Sequence, residues 1–250
     1  KLRKQAMEWS LFDDDFYSLW TDYFLHDTKN QYGEIGLVNN TIGKYFRRLK
    51  TFLKWALKRG YHTSIAYTSY KSPQETPMIY PLKESQLRTL VSFTDDMTNS
   101  LEHRRTASLF LFLASTGMRF YDSQRLVITD IHRGTNNSLM SSKIKLKTQK
   151  TDNEVIIPLI KYSIKEILRN LSTDLMDTKT LYSYLEQKNN VPFEEFRFEG
   201  LQFEDIQRIY KTHGKIDNHL TPQISNPEFN KLIKEVAELC EFNDTIKIQS

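Results

Sequence analysis

The sequence is poor in the features that staple or anchor a chain. A single cysteine, Cys240, among 250 residues excludes an internal disulfide and suits a reducing, cytoplasmic setting. No apolar run approaches the roughly 20 residues of a membrane span, and the basic start lacks the apolar stretch of a signal peptide. No histidine, cysteine and carboxylate group shows metal-ligand spacing, so the residues call for no metal or other cofactor. There is no internal repeat and no low-complexity tract. The first residue is Lys1 rather than Met, which points to a chain without its natural beginning. What remains is 39% apolar and 12% aromatic, enough for a packed core in one large or two small domains. The net charge of +4 says little until its position is known.

That position is the front of the chain. Residues 1–76 hold twelve basic and eight acidic residues, whereas the rest of the chain is neutral. Residues 1–70 read as helical. Asp13, Asp14 and Asp15 offer a cap and first-turn acids to a helix carrying Phe16, Leu19, Trp20, Tyr23 and Phe24. Asn40 or Thr41 then caps an amphipathic helix from Ile42 to about Lys58, stopped by Gly60. Its apolar stripe is Ile42, Tyr45, Phe46, Leu49, Phe52, Leu53 and Ala56. Between Thr41 and Gly60 lie seven basic residues and no acidic one. Like charges four apart, as Lys44 with Arg48 and Lys54 with Lys58, repel by a few tenths of a kcal/mol, roughly, per pair. A solvated face would tolerate that cost, but a one-signed face suits a polyanion, because cations set on phosphates displace counterions. The candidate contacts to double-stranded DNA are Lys44, Arg47, Arg48, Lys54 and Lys58.

Residues 71–80, with two prolines and no periodicity, read as a linker to a second domain over 81–250. There, a short helix over Lys83–Val91 precedes a buried run, Ala107–Ala114, that ends in Ser115-Thr116-Gly117-Met118-Arg119-Phe120-Tyr121-Asp122. Gly117 is suited to the left-handed turn that closes a helix. It sets Arg119 on a fixed base, with Asp122 placed to pin it from the side. Such an arginine is either half of a buried ion pair or a bidentate clamp for phosphate or carboxylate. A further helix is expected around Asp122, and Val127–Ile131 opens a small sheet. Lys143–Leu159 reads as two strands, with Ile144, Leu146, Val155 and Ile157 inward, around a polar turn that carries Lys150. Helices follow after Pro158, over Leu181–Leu185 and Phe203–Tyr210, and from Asn226 to Leu239. His103, His132, His213 and His219 read as surface or loop residues, and Tyr210 as packed on its helix.

The block T-G-x-R-x-x-D followed by a basic hairpin closing on K-T-x-x-x-V-x-I-P-L resembles the tyrosine recombinase (phage integrase) family, most of all integrases of bacterial mobile elements. The resemblance implies a mainly α fold with a small β-sheet: a helical, SAM-like core-binding domain, then an α+β catalytic domain. It implies strand cleavage by a tyrosine through a 3′-phosphotyrosine link. Arg119 is then the first arginine on the phosphate, Lys150 the general acid for the leaving 5′-oxygen, and Asp122 the supporting carboxylate. Fixed cations aimed at charge that grows in the transition state are what such a step requires. Lys147 is the rival to Lys150, and edge-strand lysines also serve merely to discourage aggregation.

The family pattern continues with a His-x-x-Arg box and the nucleophilic tyrosine, and this sequence contains no His-x-x-Arg. The expectation is a catalytic domain lacking its C-terminal part, inactive alone and monomeric in isolation, whereas the full-length family protein acts as a homotetramer on DNA. Two rivals stand beside it: a naturally shortened DNA-binding protein, and a helical module whose basic helix meets an acidic protein.

Overall fold

The computed structural model describes residues 8–30, 33–76, 81–134, 139–170, 204 and 219–242. The chain divides into two compact units, Lys1–Ile79 and Tyr80–Ser250. Among the described residues the structure is mostly helical, with one three-stranded sheet. No described helix is long and apolar enough to cross a membrane.

The first unit is built on two helices, α1 (Asp14–His26) and α2 (Asn39–Lys58). Asp13 caps α1 by accepting the Phe16 N–H at 2.8 Å, and Asp14 and Asp15 face the positive end of the helix dipole. The core is aromatic: Phe12, Phe46, Tyr67 and Tyr70 are buried with Ile42 and Leu53, and Phe16, Tyr17, Trp20 and Phe24 pack around them. Leu19 and Tyr23, also carried by this helix, are 69% and 51% exposed. The inward row of α1 runs through residues 16, 17, 20 and 24, which turns those two side chains away from the core. Tyr70 donates its hydroxyl to the Asp13 carbonyl at 2.8 Å, and burial together with Asp13 and Asp14 pushes its pKa up to about 12.

Helix α2 starts at Asn39, three residues before its expected apolar start, and Val38 precedes it without a side-chain cap. Asn39 and Asn40 are occupied elsewhere. Asn40 exchanges two hydrogen bonds with the backbone of Glu75, at 2.9 and 2.8 Å, and Asn39 bonds the Glu75 carboxylate. Residues 71–76, read from the sequence as linker, are therefore fastened to α2. Pro73 lies so close to Gly43 that any side chain there would strike its carbonyl.

The second unit stacks three helices, α3 (Glu84–Asp95), α4 (Leu101–Thr116) and α7 (Asn226–Leu239), around Leu90, Phe93, Ala107, Leu111, Ile233 and Val236. The opposite side of α4 presents Phe112 to a second cluster. This one holds Met118, Leu126, Ile131, Ile144, Leu159 and three residues of α6 (Lys161–Asn170), namely Ile164, Ile167 and Leu168. The short α5 (Phe120–Gln124) lies between α4 and the sheet in sequence. Strands β1 (Ile131–His132), β2 (Lys143–Lys147) and β3 (Glu154–Pro158) pair antiparallel in that order. Ile144 faces Ile157 and Leu146 faces Val155, so the apolar alternation lies on one side of the ribbon. Val127 joins no strand; it bridges to His219. The sequence offers Asn226 as the cap of α7 with Pro227 at its first position, but Ser225 caps it by accepting the Glu228 N–H at 3.3 Å, and Pro227 lies in the first turn. The helices expected over 181–185 and 203–210, with Tyr210 and His213, fall outside the described residues apart from Glu204.

Between α3, α4 and α6 runs a buried polar network. Arg169, with no exposed surface, bonds Thr94 and Asp95, and lies 3.5 Å from the Glu166 carboxylate. Ser108 donates to Glu166 at 2.5 Å and accepts from Asn170 at 3.0 Å. These partners let a guanidinium and a carboxylate sit inside a core that would otherwise exclude them.

Candidate functional site

In the first unit the candidate surface is the outer side of α2. Lys44, Arg47, Arg48, Lys54 and Lys58 are all exposed, and none makes an ion pair or side-chain hydrogen bond among the described residues. Lys50 differs. Its ammonium donates to the carbonyls of Tyr70 at 2.9 Å and Thr68 at 3.3 Å, so this lysine ties α2 to the following turn. At about 100° per residue, Arg47, Thr51, Lys54 and Lys58 form one row along the helix, about 16 Å long.

Two stripe residues go the other way. Tyr45 and Phe52 are 41% and 49% exposed rather than buried. They lie at the edges of the apolar arc, and the buried centre, Ile42, Phe46, Leu53 and Ala56, is narrower than the sequence pattern. Beside Phe52, Trp55 is 47% exposed and Tyr61 is 55% exposed. These rings were not singled out from the sequence. The spacing Arg48, Phe52, Trp55, Arg59 (i, i+4, i+7, i+11) is the signal that marks them as one row.

In the second unit, α4 ends as the sequence requires. Gly117 is left-handed at φ 66°, and its N–H donates to the Leu113 carbonyl at 2.9 Å. Met118 is buried in the core, so the next residue, Arg119, leaves a backbone held on both sides. The Arg119 carbonyl accepts the N–H groups of Asp122 and Ser123 at 3.1 and 3.0 Å, while its guanidinium is exposed and unpaired among the described residues. The buried-ion-pair alternative for Arg119 therefore has no partner in the described structure.

Asp122 does not pair with that guanidinium. Its carboxylate, 5% exposed, accepts the backbone N–H of Gln149 at 2.9 Å. The physical reason is direction: Asp122 points into the protein from α5, whereas Arg119 caps that helix and points to solvent. The bond spans 27 residues and fixes the hairpin turn next to the helix that follows Arg119. Lys150 is the neighbour of Gln149 in that turn, exposed and unpaired. The turn is closed by Thr148 and Asn153, whose N–H and carbonyl meet at 2.9 Å, and by Asp152 in the left-handed region at φ 53°. Lys147 ends β2 opposite Glu154, and Lys145 pairs with Glu154 at 2.6 Å.

The far side of α5 is stitched to residues 219–224. Thr221 donates to the Ser123 carbonyl at 2.8 Å, Gln124 donates to the Pro222 carbonyl at 3.0 Å, and Ile224 donates to Gln124 at 2.9 Å. His103 lies apart from these residues in contact, bonded to Ser100 and to Glu235 of α7 at 2.9 and 3.0 Å. A cavity of about 380 Å³ opens between the start of α4 and residues 222–228. It sets Glu102 and Glu228 against Arg105, a poor lining for an anion. Among the described residues no His, Cys, Asp and Glu group could hold a metal ion.

With this geometry in place, residues 2–72 match the phage integrase SAM-like domain. That match spans most of the first unit, Lys1–Ile79. No curated protein sequence matches it. Three solved structures are remotely similar. XerA recombinase shares 16% identity, over 92% of this chain and 70% of that one, with a TM-score of 0.38. The Tn1549 transposon integrase in complex with circular intermediate DNA shares 15%, over 79% and 80%, with a TM-score of 0.38. A lambda integrase dimer bound to a COC′ core site shares 14%, over 98% and 95%, with a TM-score of 0.39.

Proposed function

We propose that the chain belongs to a site-specific recombinase of a mobile element, with duplex DNA as its partner. In this reading the first unit grips the duplex through Lys44, Arg47, Arg48, Lys54 and Lys58. The second unit supplies Arg119 and Lys150 to a phosphodiester. The observation that carries the reading is the Asp122–Gln149 bond. It brings the turn bearing an unpaired lysine beside the helix capped by an unpaired arginine, although the two are 31 positions apart in the sequence.

The roles follow from the chemistry of the side chains. Arg119 presents a planar, permanently charged fork suited to two phosphate oxygens, and the backbone that carries it is held by Gly117 and Met118. Charge added to the equatorial oxygens during attack strengthens that contact in the transition state over the ground state. Lys150 has a proton to give, on a hairpin tip that reaches from a held turn, and so meets the need of a leaving 5′-oxygen. Asp122 is a positioning residue in this scheme. It holds the turn and touches no reacting atom.

The test is a salt-titrated binding assay on duplex DNA, wild type against Arg47→Glu/Arg48→Glu/Lys54→Glu. Three lost phosphate contacts should lower the slope of log K against log [salt] by about 2 to 3, at roughly 0.9 per contact. Binding that ignores salt, or a triple variant as tight as wild type, would remove the clamp and favour a protein-binding module.

A further inference from the structure

We propose that α2 carries a second nucleic-acid site, a stacking platform for single-stranded DNA, beside its cationic row. Four residues form it along one line of the helix: Arg48, Phe52, Trp55 and Arg59, with Tyr61 from the following turn. Phe52 and Trp55 lie with ring centroids 6.0 Å apart at 23°, and Trp55 and Tyr61 at 5.7 Å and 37°. Behind them Trp9 backs the group, 6.0 Å from Phe52 and nearly parallel to Tyr61 at 10° and 6.5 Å. The three outer rings are each about half exposed, at 49%, 47% and 55%.

Rings that only fill a core are covered by other apolar groups, and these are not. Their surroundings favour an anionic, flat ligand. The Arg59 guanidinium lies 5.4 Å from the Trp55 ring centre and makes no ion pair among the described residues. It marks an indole face already used by a planar cation, which a base can take while the arginine turns to the phosphate. Arg48 stands at the other end of the row, also unpaired, and no acidic residue occurs between Thr41 and Gly60. An acidic protein segment would satisfy the arginines but leave the rings without flat partners. A strand of unpaired bases satisfies both.

Arg48 is shared with the duplex surface, but the rings are separate from Arg47, Lys54 and Lys58, which lie on the other flank of the same helix, so the discriminating substitutions are those of the rings. Duplex and single strand can therefore be distinguished by mutation. The inference goes beyond the recombinase reading and rests on it only for the choice of DNA over RNA.

The experiment uses the whole chain and labelled dT12, rU12 and a 12-base-pair duplex, followed by fluorescence anisotropy at one salt concentration. Trp55→Ala/Tyr61→Ala should weaken dT12 binding at least about fivefold for each ring removed, since stacking on a ring contributes that much per base. Duplex affinity should stay within about twofold of wild type. Trp55→Phe, which keeps an aromatic face, should retain most of the dT12 affinity. Equal loss on dT12 and duplex, or no loss on dT12, overturns the proposal. So does a change in self-association, seen by sedimentation, without an effect on dT12. Preference for rU12 over dT12 overturns the assignment to DNA. If the recombinase reading fails, duplex binding fails to respond to Arg47→Glu/Lys54→Glu/Lys58→Glu, which leaves the platform residues intact, while the dT12 result still stands on its own.

Discussion

Replacing Asp122 by alanine removes one hydrogen bond, and the structure says what should follow. The carboxylate is 5% exposed and accepts the Gln149 N–H at 2.9 Å. A bond to a charged acceptor contributes about 1.5–3 kcal/mol. Gln149 itself is exposed, so its freed N–H finds water and adds no further burial penalty. At about 1.4 kcal/mol per factor of ten, the Gln149 amide should exchange its proton about 10 to 150 times faster in the variant. Melting of the second unit should fall by about 3 to 12 °C, at roughly 2–4 °C per kcal/mol for a unit of this size. All three tryptophans, Trp9, Trp20 and Trp55, lie in the first unit. Tryptophan fluorescence should therefore melt as in wild type while circular dichroism shifts. Asp122→Asn keeps an oxygen acceptor without the charge and should fall between the two. A Gln149 exchange rate in Asp122→Ala within twofold of wild type would show that the carboxylate does not hold the turn.

Two further perturbations test the frame around this site. Gly117 is left-handed at φ 66°, with open space where a Cβ would go. Gly117→Ala should therefore cost backbone strain alone, about 1–2 kcal/mol in a denaturant melt of the second unit, and Gly117→Asn should cost less. Glu166 is buried, and that burial raises its carboxyl pKa against the opposing pull of Arg169 and Ser108. The folded state thus holds this proton more tightly than the unfolded chain, where a glutamate titrates near about 4.3. Its stabilising contribution is complete below that value and is lost as pH rises through the raised folded pKa. The melting temperature of wild type minus that of Glu166→Gln should therefore shrink as pH is raised from about 4 toward neutrality; a difference that grows would refute the assignment.

The helices α2 and α4, the hairpin with its inward residues, and the left-handed Gly117 are all legible in the sequence, because each depends on local period or local backbone preference. The edges of a helix stripe are less so. Tyr45 and Phe52 obey the 3.6-residue rule yet stay half exposed, since the width of the buried arc is set by what packs against it. Asp122 shows a different limit. Proximity in sequence points to Arg119, whereas its partner is a backbone amide 27 residues on that only the folded chain brings near. The linker shows the same limit, for nothing in residues 71–76 announces that Asn40 will pair with Glu75. The burial of Glu166 and Arg169 is likewise set by the folded chain. They are buried because three helices close over them and supply partners.

Electrostatic catalysis needs a charge whose stem is fixed and whose head is unsatisfied, because a head already paired must first be released. Several described cations of the second unit fail this condition. Arg88 is paired with Glu84, Lys145 with Glu154, and Arg169 is enclosed with Asp95 and Thr94. Arg125, Lys143 and Lys147 also make no ion pair among the described residues, so the want of a partner alone does not single out Lys150. What Arg119 and Lys150 have in common is a backbone tie to α5. Met118 is buried next to one, and Gln149 is bonded to the buried Asp122 next to the other. The same short helix, α5, supplies both ties, since it is capped by Arg119 and contains Asp122. Residues 219–224 in turn hold α5 through Ser123 and Gln124. A displacement of α5 would therefore move the arginine and the lysine together, which is the coupling the proposed phosphate site requires.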